Sequence, residues 1–278
     1  MDTETLRKVQ LVQLDIAKEL KRVCSELGIT FFLDSGTLLG AVRHKGFIPW
    51  DDDLDIGMMR DDYEQFLAKA PKVLKDNFFL QTWYSDQSYG LAFAKLRLRN
   101  TRYIEAAAQY SDAENGIYID IFPYDEYPLT KKEQNWHHMR HEVYKRCLLV
   151  KSGYSPWENE NGIRRYAKKA AYIGIEVVAS LYSRDQLIKS YYNLCTKFNG
   201  SGTGFYFEKA GALRYGNSVI PASCFSEYVN MEFEGELFPC PKDYDLYLKS
   251  AYGDYMKLPP EDKRENRHNI LEIKFADE

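Results

Sequence analysis

The stretch 33–56 constrains this chain more than any other, because it switches periodicity twice within two dozen residues. Residues 29–33 (ITFFL) are short, apolar and partly β-branched or aromatic, the character of a buried strand. Asp34-Ser35-Gly36-Thr37 then makes a turn into a short helix carrying Leu38 and Leu39. A loop over 44–50 is broken by Gly46 and Pro49, and Asp53-Leu54-Asp55-Ile56 alternates polar with apolar as a half-buried strand does. Strand, glycine turn, helix and acidic strand in such quick succession require a layered α/β unit.

The rest of the chain extends that unit. Leu6, Val9, Val12, Ile16, Leu20, Val23 and Leu27 recur at helical spacing, and Gly28 stands where a C-cap glycine belongs. Asp61 or Asp62 is positioned to cap a helix whose inner face holds Tyr63, Phe66 and Leu67. Strands are expected at 91–98 and 117–122, the latter with Asp120 on the face opposite Ile117, Ile119 and Ile121. Segments 131–151, 163–181 and 184–198 read as helices, followed by a glycine-rich stretch at 199–204 and a loop- and strand-like tail. The expected architecture is α/β (α+β): a mixed-sheet core over 1–128, with a mainly helical half over 129–278 packed on it as one compact unit.

Composition narrows the function classes. With 45% hydrophobic and 28% charged residues among 278, the chain is neither disordered nor collagen-like. Thirty-seven basic residues against 41 acidic leave −4, which provides no footprint for nucleic acid. The five cysteines (24, 147, 195, 224 and 240) contain no CxxC pair, so buried reduced thiols are expected rather than disulfides or a zinc knuckle. The N-terminus is charged where a signal peptide needs an apolar stretch. The longest apolar run, 170–182, carries Glu176 and falls short of the ~20 residues of a membrane span. A soluble, cytoplasmic protein without a transmembrane segment follows.

Asp53 and Asp55, two apart on a strand, would leave one face about 6–7 Å apart. Carboxylates that close repel, and a hard cation such as Mg²⁺ or Mn²⁺ relieves the repulsion. With Asp120 from a neighbouring strand, three carboxylates can hold two ions, cradle a polyphosphate and polarise a hydroxyl. A solvated acidic turn is the plain alternative, disfavoured by Leu54 and Ile56. Gly36 lets backbone N–H groups approach a phosphate at a helix N-terminus, with Ser35 and Thr37 adding hydroxyls. His137, His138 and His141, beside Glu142, have two members at i, i+4 but no third ligand at matching spacing, so a solvated helix face is expected.

The glycine turn, the Asp-x-Asp strand and the later lone aspartate resemble the nucleotidyltransferase fold of the polymerase-β type. More narrowly, DSGTLLGAVRHKGFIPWDDDLDI at 34–56 is similar to the signature of the LicD family, which includes the fukutin-related proteins. AKLR at 94–97, YIDIFPYD at 118–125 and AYGDYMKLPP at 251–260 resemble further family segments. The resemblance implies transfer of phosphocholine from CDP-choline to a hydroxyl of a cell-surface glycan such as teichoic acid, lipopolysaccharide or capsule, with release of CMP. It also implies Asp53, Asp55 and Asp120 as catalytic ligands of Mg²⁺ (or Mn²⁺), two ions in all, with Asp120 the candidate base. Ser35, Gly36 and Thr37 would cradle the diphosphate, with Arg43, Lys95 and Arg97 available to phosphate oxygens. A quaternary ammonium needs aromatic walls, and Trp50, Tyr118 and Tyr124 stand nearest the acids; Trp50 is the head-group candidate. His268 is a further candidate to close over the donor. Three alternatives stay open: another CDP-linked head group (ethanolamine, aminoethyl phosphonate, ribitol or glycerol phosphate), a nucleotidyltransferase consuming a nucleoside triphosphate, and an inactive nucleotide- or glycan-binding module. Retention of all three aspartates disfavours the last.

Overall fold

A computed structural model describes residues 1–208, 219–264, 266 and 268–276. Helix α1 (Thr3–Leu27) is capped by Asp2, whose side chain accepts from Thr5 N–H, and stopped by Gly28 in the left-handed region (φ 66°). Strand β1 (Phe32–Leu33), helix α2 (Ser35–His44), strand β2 (Asp55–Met59) and helix α3 (Arg60–Lys69) follow. Next come β3 (Phe78–Gln81), β4 (Ala94–Leu98), β5 (Arg102–Glu105) and β6 (Tyr118–Glu126), then α4 (Lys131–Lys151), α5 (Gly162–Ser180) and α6 (Arg184–Cys195). The chain continues through β7 (Phe205–Glu208), β8 (Val219–Pro221), β9 (Tyr228–Phe233), β10 (Glu236–Pro241), α7 (Tyr244–Tyr252) and β11 (Ile270–Lys274). The fold is mixed α/β, of the α+β kind.

The main sheet runs β1-β2-β6-β4-β3, with β7 on the far half of β6 and β8 beyond it. Among the described residues, β2–β6 is the one parallel pair of this sheet. Because β7 pairs with Tyr124, Asp125 and Glu126, residues from both sides of 128 build one sheet. Its apolar face carries Ile56, Ala94, Leu96, Ile119 and Ile121, which share a core with Val9, Ile16, Leu20 and Val23 of α1. Burying that many aliphatic side chains, at about 1.5–3 kcal/mol each, pins the strand register, since a one-residue slip would turn them to the other face. The opposite face carries Asp55, Asp120, Lys95, Arg97 and Gln81, with Phe79, Tyr118 and Phe122 among them. No helix among the described residues is long and apolar enough to cross a membrane.

Several local expectations shift. Only Phe32–Leu33 of the 29–33 segment is paired, and the acidic strand begins at Asp55, leaving Asp53 in the preceding loop. Pairing starts there because β6 comes alongside at Asp120, whose N–H donates to Leu54 O (2.9 Å). The 91–98 strand starts at Ala94, and the 117–122 strand extends to Glu126 because β7 gives its second half a partner. Neither Asp61 nor Asp62 is the N-cap of α3; Met59 is, and both aspartates lie in the first turn. Asp62 Oδ1 instead accepts from Thr30 N–H. His137 and His141 do not form a solvated face. They are 0% and 2% exposed where α4 packs on α6, bonded to Leu194 O (2.9 Å) and the Tyr191 hydroxyl (2.7 Å). The tail, read as loop and strand, also contains α7. All five cysteines are buried and none forms a disulfide.

Candidate active site

On its polar face the sheet presents a row of side chains across four strands. Asp55 on β2 is registered with Asp120 on β6, Asp120 with Lys95 on β4, and Lys95 with Gln81 on β3. Residues paired in this way project from one side of the sheet at a strand spacing of ~4.8 Å. Lys95 Nζ lies 3.1 Å from Asp120 Oδ1 and 3.6 Å from Glu105 Oε1, over the face of the Tyr118 ring. The Tyr118 hydroxyl donates to the same Glu105 oxygen (2.6 Å).

Asp53 reaches this row from the loop before β2. Helix α1 holds that loop: Gln10 Nε2 donates to Asp51 O and Gln13 Nε2 to Asp52 O, each at 2.9 Å. Asp52 is buried and bonded to His268, with Nδ1 3.0 Å from Oδ1. The β11–β5 pairing carries His268 there. One ligand atom each of Asp52, Asp53 and His268 lie within 4.8 Å of one another.

The electrostatics follow from this crowding. Burial, then Asp53, Asp120, Asp34 and Asp51, pushes the Asp55 carboxyl well above the usual range. Asp120 is raised by burial and opposed by Lys95, ending at about 6. Glu105 goes the other way: Lys95 and His268 overcome burial and hold it at about 2. Burial disfavours charge on His268, yet Asp52, Glu105 and Asp53 raise it to about 10.

Asp34 caps α2 and places the glycine turn. Its fully buried Oδ1 accepts from Ser35 N–H (2.7 Å) and from the hydroxyls of Tyr124 (2.7 Å) and Tyr247, tying β1, β6 and α7 together. Ser35 sits at φ 45°, a strained conformation for a non-glycine residue. A Cβ on Gly36 would stand 3.0 Å from Asp51 Oδ2, so glycine allows the turn and the acidic loop to approach. Thr37 Oγ1 accepts Asp55 N–H (2.8 Å) and keeps its own proton to donate.

Arg43, in the last turn of α2, donates to Tyr255 O (2.7 Å). Burial and the nearby Arg264 lower its pKa, so two cations face the same region. Arg264 lies over the Trp50 ring (5.5 Å), and His44 meets that ring edge-on. Arg97 directs its guanidinium to Gln81 Oε1 and Gly116 O while stacking on Tyr118. Lys95 and Arg97 also line a small cavity with Tyr103, Glu105 and Tyr154. A larger aromatic cavity, walled by Tyr63, Trp83, Phe93 and Tyr191, involves none of the three aspartates.

Sequence reasoning missed Asp34, Glu105, Asp52 and Arg264. Asp34 opens the strongest motif and was legible as a helix cap. Glu105 lies in a four-residue edge strand with no distinguishing pattern, and Arg264 gains its meaning only from Arg43 and Trp50.

Clustered carboxylates beside a helix N-terminus and a pair of arginines are the groups that phosphate-handling enzymes bring together. The comparisons agree. A family model described as "LicD/FKTN/FKRP, nucleotidyltransferase domain" matches residues 28–159. The lipopolysaccharide cholinephosphotransferase LicD of Haemophilus influenzae is 31% identical, over 95% of this chain and 96% of that protein. The ribitol 5-phosphate transferase FKRP of Homo sapiens is 29% identical over 40% of this chain and 20% of its own length. The mouse ribitol-5-phosphate transferase FKTN is 45% identical over 23% of this chain and 13% of its own. The chain belongs to the LicD family.

Proposed function

We propose that this transferase moves phosphocholine from CDP-choline to a hydroxyl of a cell-surface glycan on the cytoplasmic side, releasing CMP. The full-length similarity to a cholinephosphotransferase favours choline over ribitol, whose transferases match only part of the chain. The observation that carries the chemistry is the registered pair Asp55–Asp120 with Asp53 beside it, facing the Ser35-Gly36-Thr37 turn.

The donor set fits a hard divalent cation. Asp55 and Asp120 are registered neighbours, Asp53 acts on both through charge, and the charge on Asp55 is opposed by four other carboxylates; the group whose ligand atoms lie within 4.8 Å of one another is Asp52, Asp53 and His268. Asp53, Asp55 and Asp120 would hold Mg²⁺ or Mn²⁺, two ions in all, which would supply charge neutralisation at the transferring phosphoryl group.

The chain's own residues do the rest. Backbone N–H groups of the Gly36 turn and the Ser35 and Thr37 hydroxyls bind the diphosphate, and Arg43, with Arg264 beside it, adds positive charge. Lys95 sets the charge on Asp120 and adds a cation to the floor; Arg97 acts there through Tyr118 and Gln81. Asp120, raised to about 6, accepts the proton of the attacking glycan hydroxyl. Trp50, already a platform for the Arg264 cation, is assigned to the choline ammonium, with Arg264 yielding the ring face to it.

Calorimetry tests this reading. CDP-choline, CDP-ethanolamine and CDP-ribitol are each titrated, with and without Mg²⁺, into wild type and Asp55→Asn. Mg²⁺-dependent binding that prefers CDP-choline and is lost in the variant supports it. Preference for another donor renames the head group, and no binding of any CDP-alcohol overturns it.

A further inference from the structure

Helix α5 turns an apolar stripe away from the protein. It packs through the buried Tyr172 and Ala179, with Ile175 partly covered against the cluster of α4 and α6. Ile163, Tyr166, Ile173 and Val177, and Leu181 just past the helix end, are 85%, 73%, 58%, 62% and 74% exposed. Together with Ala170 they recur every three or four residues, one continuous stripe; at 100° per residue it lies opposite Tyr172 and Ala179. A helix designed for water would place its charges there. Instead the charges of α5 lie on the flanks and on the side nearer the body: Arg164, Arg165, Lys168 and Lys169 against Glu176, four basic residues and one acidic in a chain of net charge −4. Arg165 pairs with Glu158 and Lys168 with Glu160. Arg164 and Lys169, both exposed, are the first charges on either side of the apolar face, which Ala167, Ala171, Gly174 and Val178 widen toward Arg164, and Lys169 lies over the Trp157 ring (5.9 Å).

We propose that α5 is an interfacial helix that seats the protein on an anionic bilayer. Its apolar stripe enters the headgroup–acyl boundary, while Arg164 and Lys169 reach lipid phosphates on either side. The five charges of α5 exclude a spanning role, and no described helix meets the requirements for one. A second copy fits less well, because it would offer the four basic residues of α5 a single acidic one, Glu176, whereas lipid phosphates complement all of them. The inference is independent of the donor and of the reaction.

Vesicle flotation tests it, with phosphatidylcholine vesicles alone or containing phosphatidylglycerol. Wild type should float with the anionic vesicles. The double variant Ile173→Glu, Val177→Glu should stay in solution, and Val177→Leu should float as wild type does. Arg164→Gln with Lys169→Gln should weaken anionic binding roughly thirty-fold, at about 1 kcal/mol per basic residue, and leave weak neutral binding unchanged. These positions are exposed, so all variants should share the wild-type unfolding temperature, checked by circular dichroism. Failure of wild type to float, or equal flotation of the glutamate variant, overturns the proposal. So does a wild-type dimer in light scattering that the glutamate variant breaks without any vesicle binding.

Discussion

Replacing Asp55 by asparagine should abolish turnover and stabilise the metal-free protein. Asp120, with Lys95 at 3.1 Å to help it, is displaced from 3.8 to about 6. That is about two pKa units, or about 3 kcal/mol at 1.36 kcal/mol per unit. Asp55 has four carboxylates against it among the strongest influences on it, so its charge also weighs against the folded state. A raised carboxylate pKa means the native state keeps a proton that the unfolded chain has already released. Stability therefore falls as pH rises through the window above 3.8 and stays low beyond the folded value. Asparagine keeps the volume and removes the charge. Near pH 8 without metal, Asp55→Asn should therefore unfold at a higher temperature than wild type. Near pH 4 the advantage should vanish, because wild-type Asp55 is then protonated. Saturating Mg²⁺ should raise the wild-type melting temperature and leave that of the variant unchanged. Thermal unfolding followed by circular dichroism at both pH values, with and without Mg²⁺, measures all four cases. A variant less stable than wild type near pH 8, or an equal gain at both pH values, would refute the electrostatic reasoning.

Three further substitutions probe the supports of the site. Lys95→Met leaves Asp120 and Glu105 without their shared buried cation; a loss of about 3–5 kcal/mol is expected in urea unfolding, and a loss below 1 would show the pair to be dispensable. Tyr247→Phe removes one donor from buried Asp34 and should cost about 1–3 kcal/mol while raising the donor KM more than it lowers kcat; an unchanged KM would separate α7 from the glycine turn. Gly40→Ala places a Cβ 2.5 Å from the Gly46 carbonyl oxygen, so about 1–3 kcal/mol of destabilisation is expected, and a neutral result in the same assay would show that the 44–50 loop yields freely.

Local pattern determined much of this protein. Helical spacing in 4–27 specified α1 almost to its ends, because the apolar period and the Gly28 stop are properties of adjacent residues. The three helices between 131 and 198 and the glycine turn were legible for the same reason. The motif residues Asp53, Asp55, Asp120, Ser35, Gly36 and Thr37 were visible as well. Other features depended on partners distant in the chain. Asp55 becomes the first residue of its strand only because β6 arrives at Asp120, and the β7 half of the sheet exists only because residues 205–208 return to 124–126. His137 and His141 look solvent-facing by composition, yet the α4–α6 contact buries them. Asp34, Glu105 and His268 carry no signal in spacing that could place them beside the acids, since Tyr247, Lys95 and Asp52 reach them across the fold. Tertiary structure also decided which side of α5 faces outward. Its two apolar stripes are equally visible in sequence, but only packing against α4 and α6 chooses the one that is covered and leaves the broader one exposed.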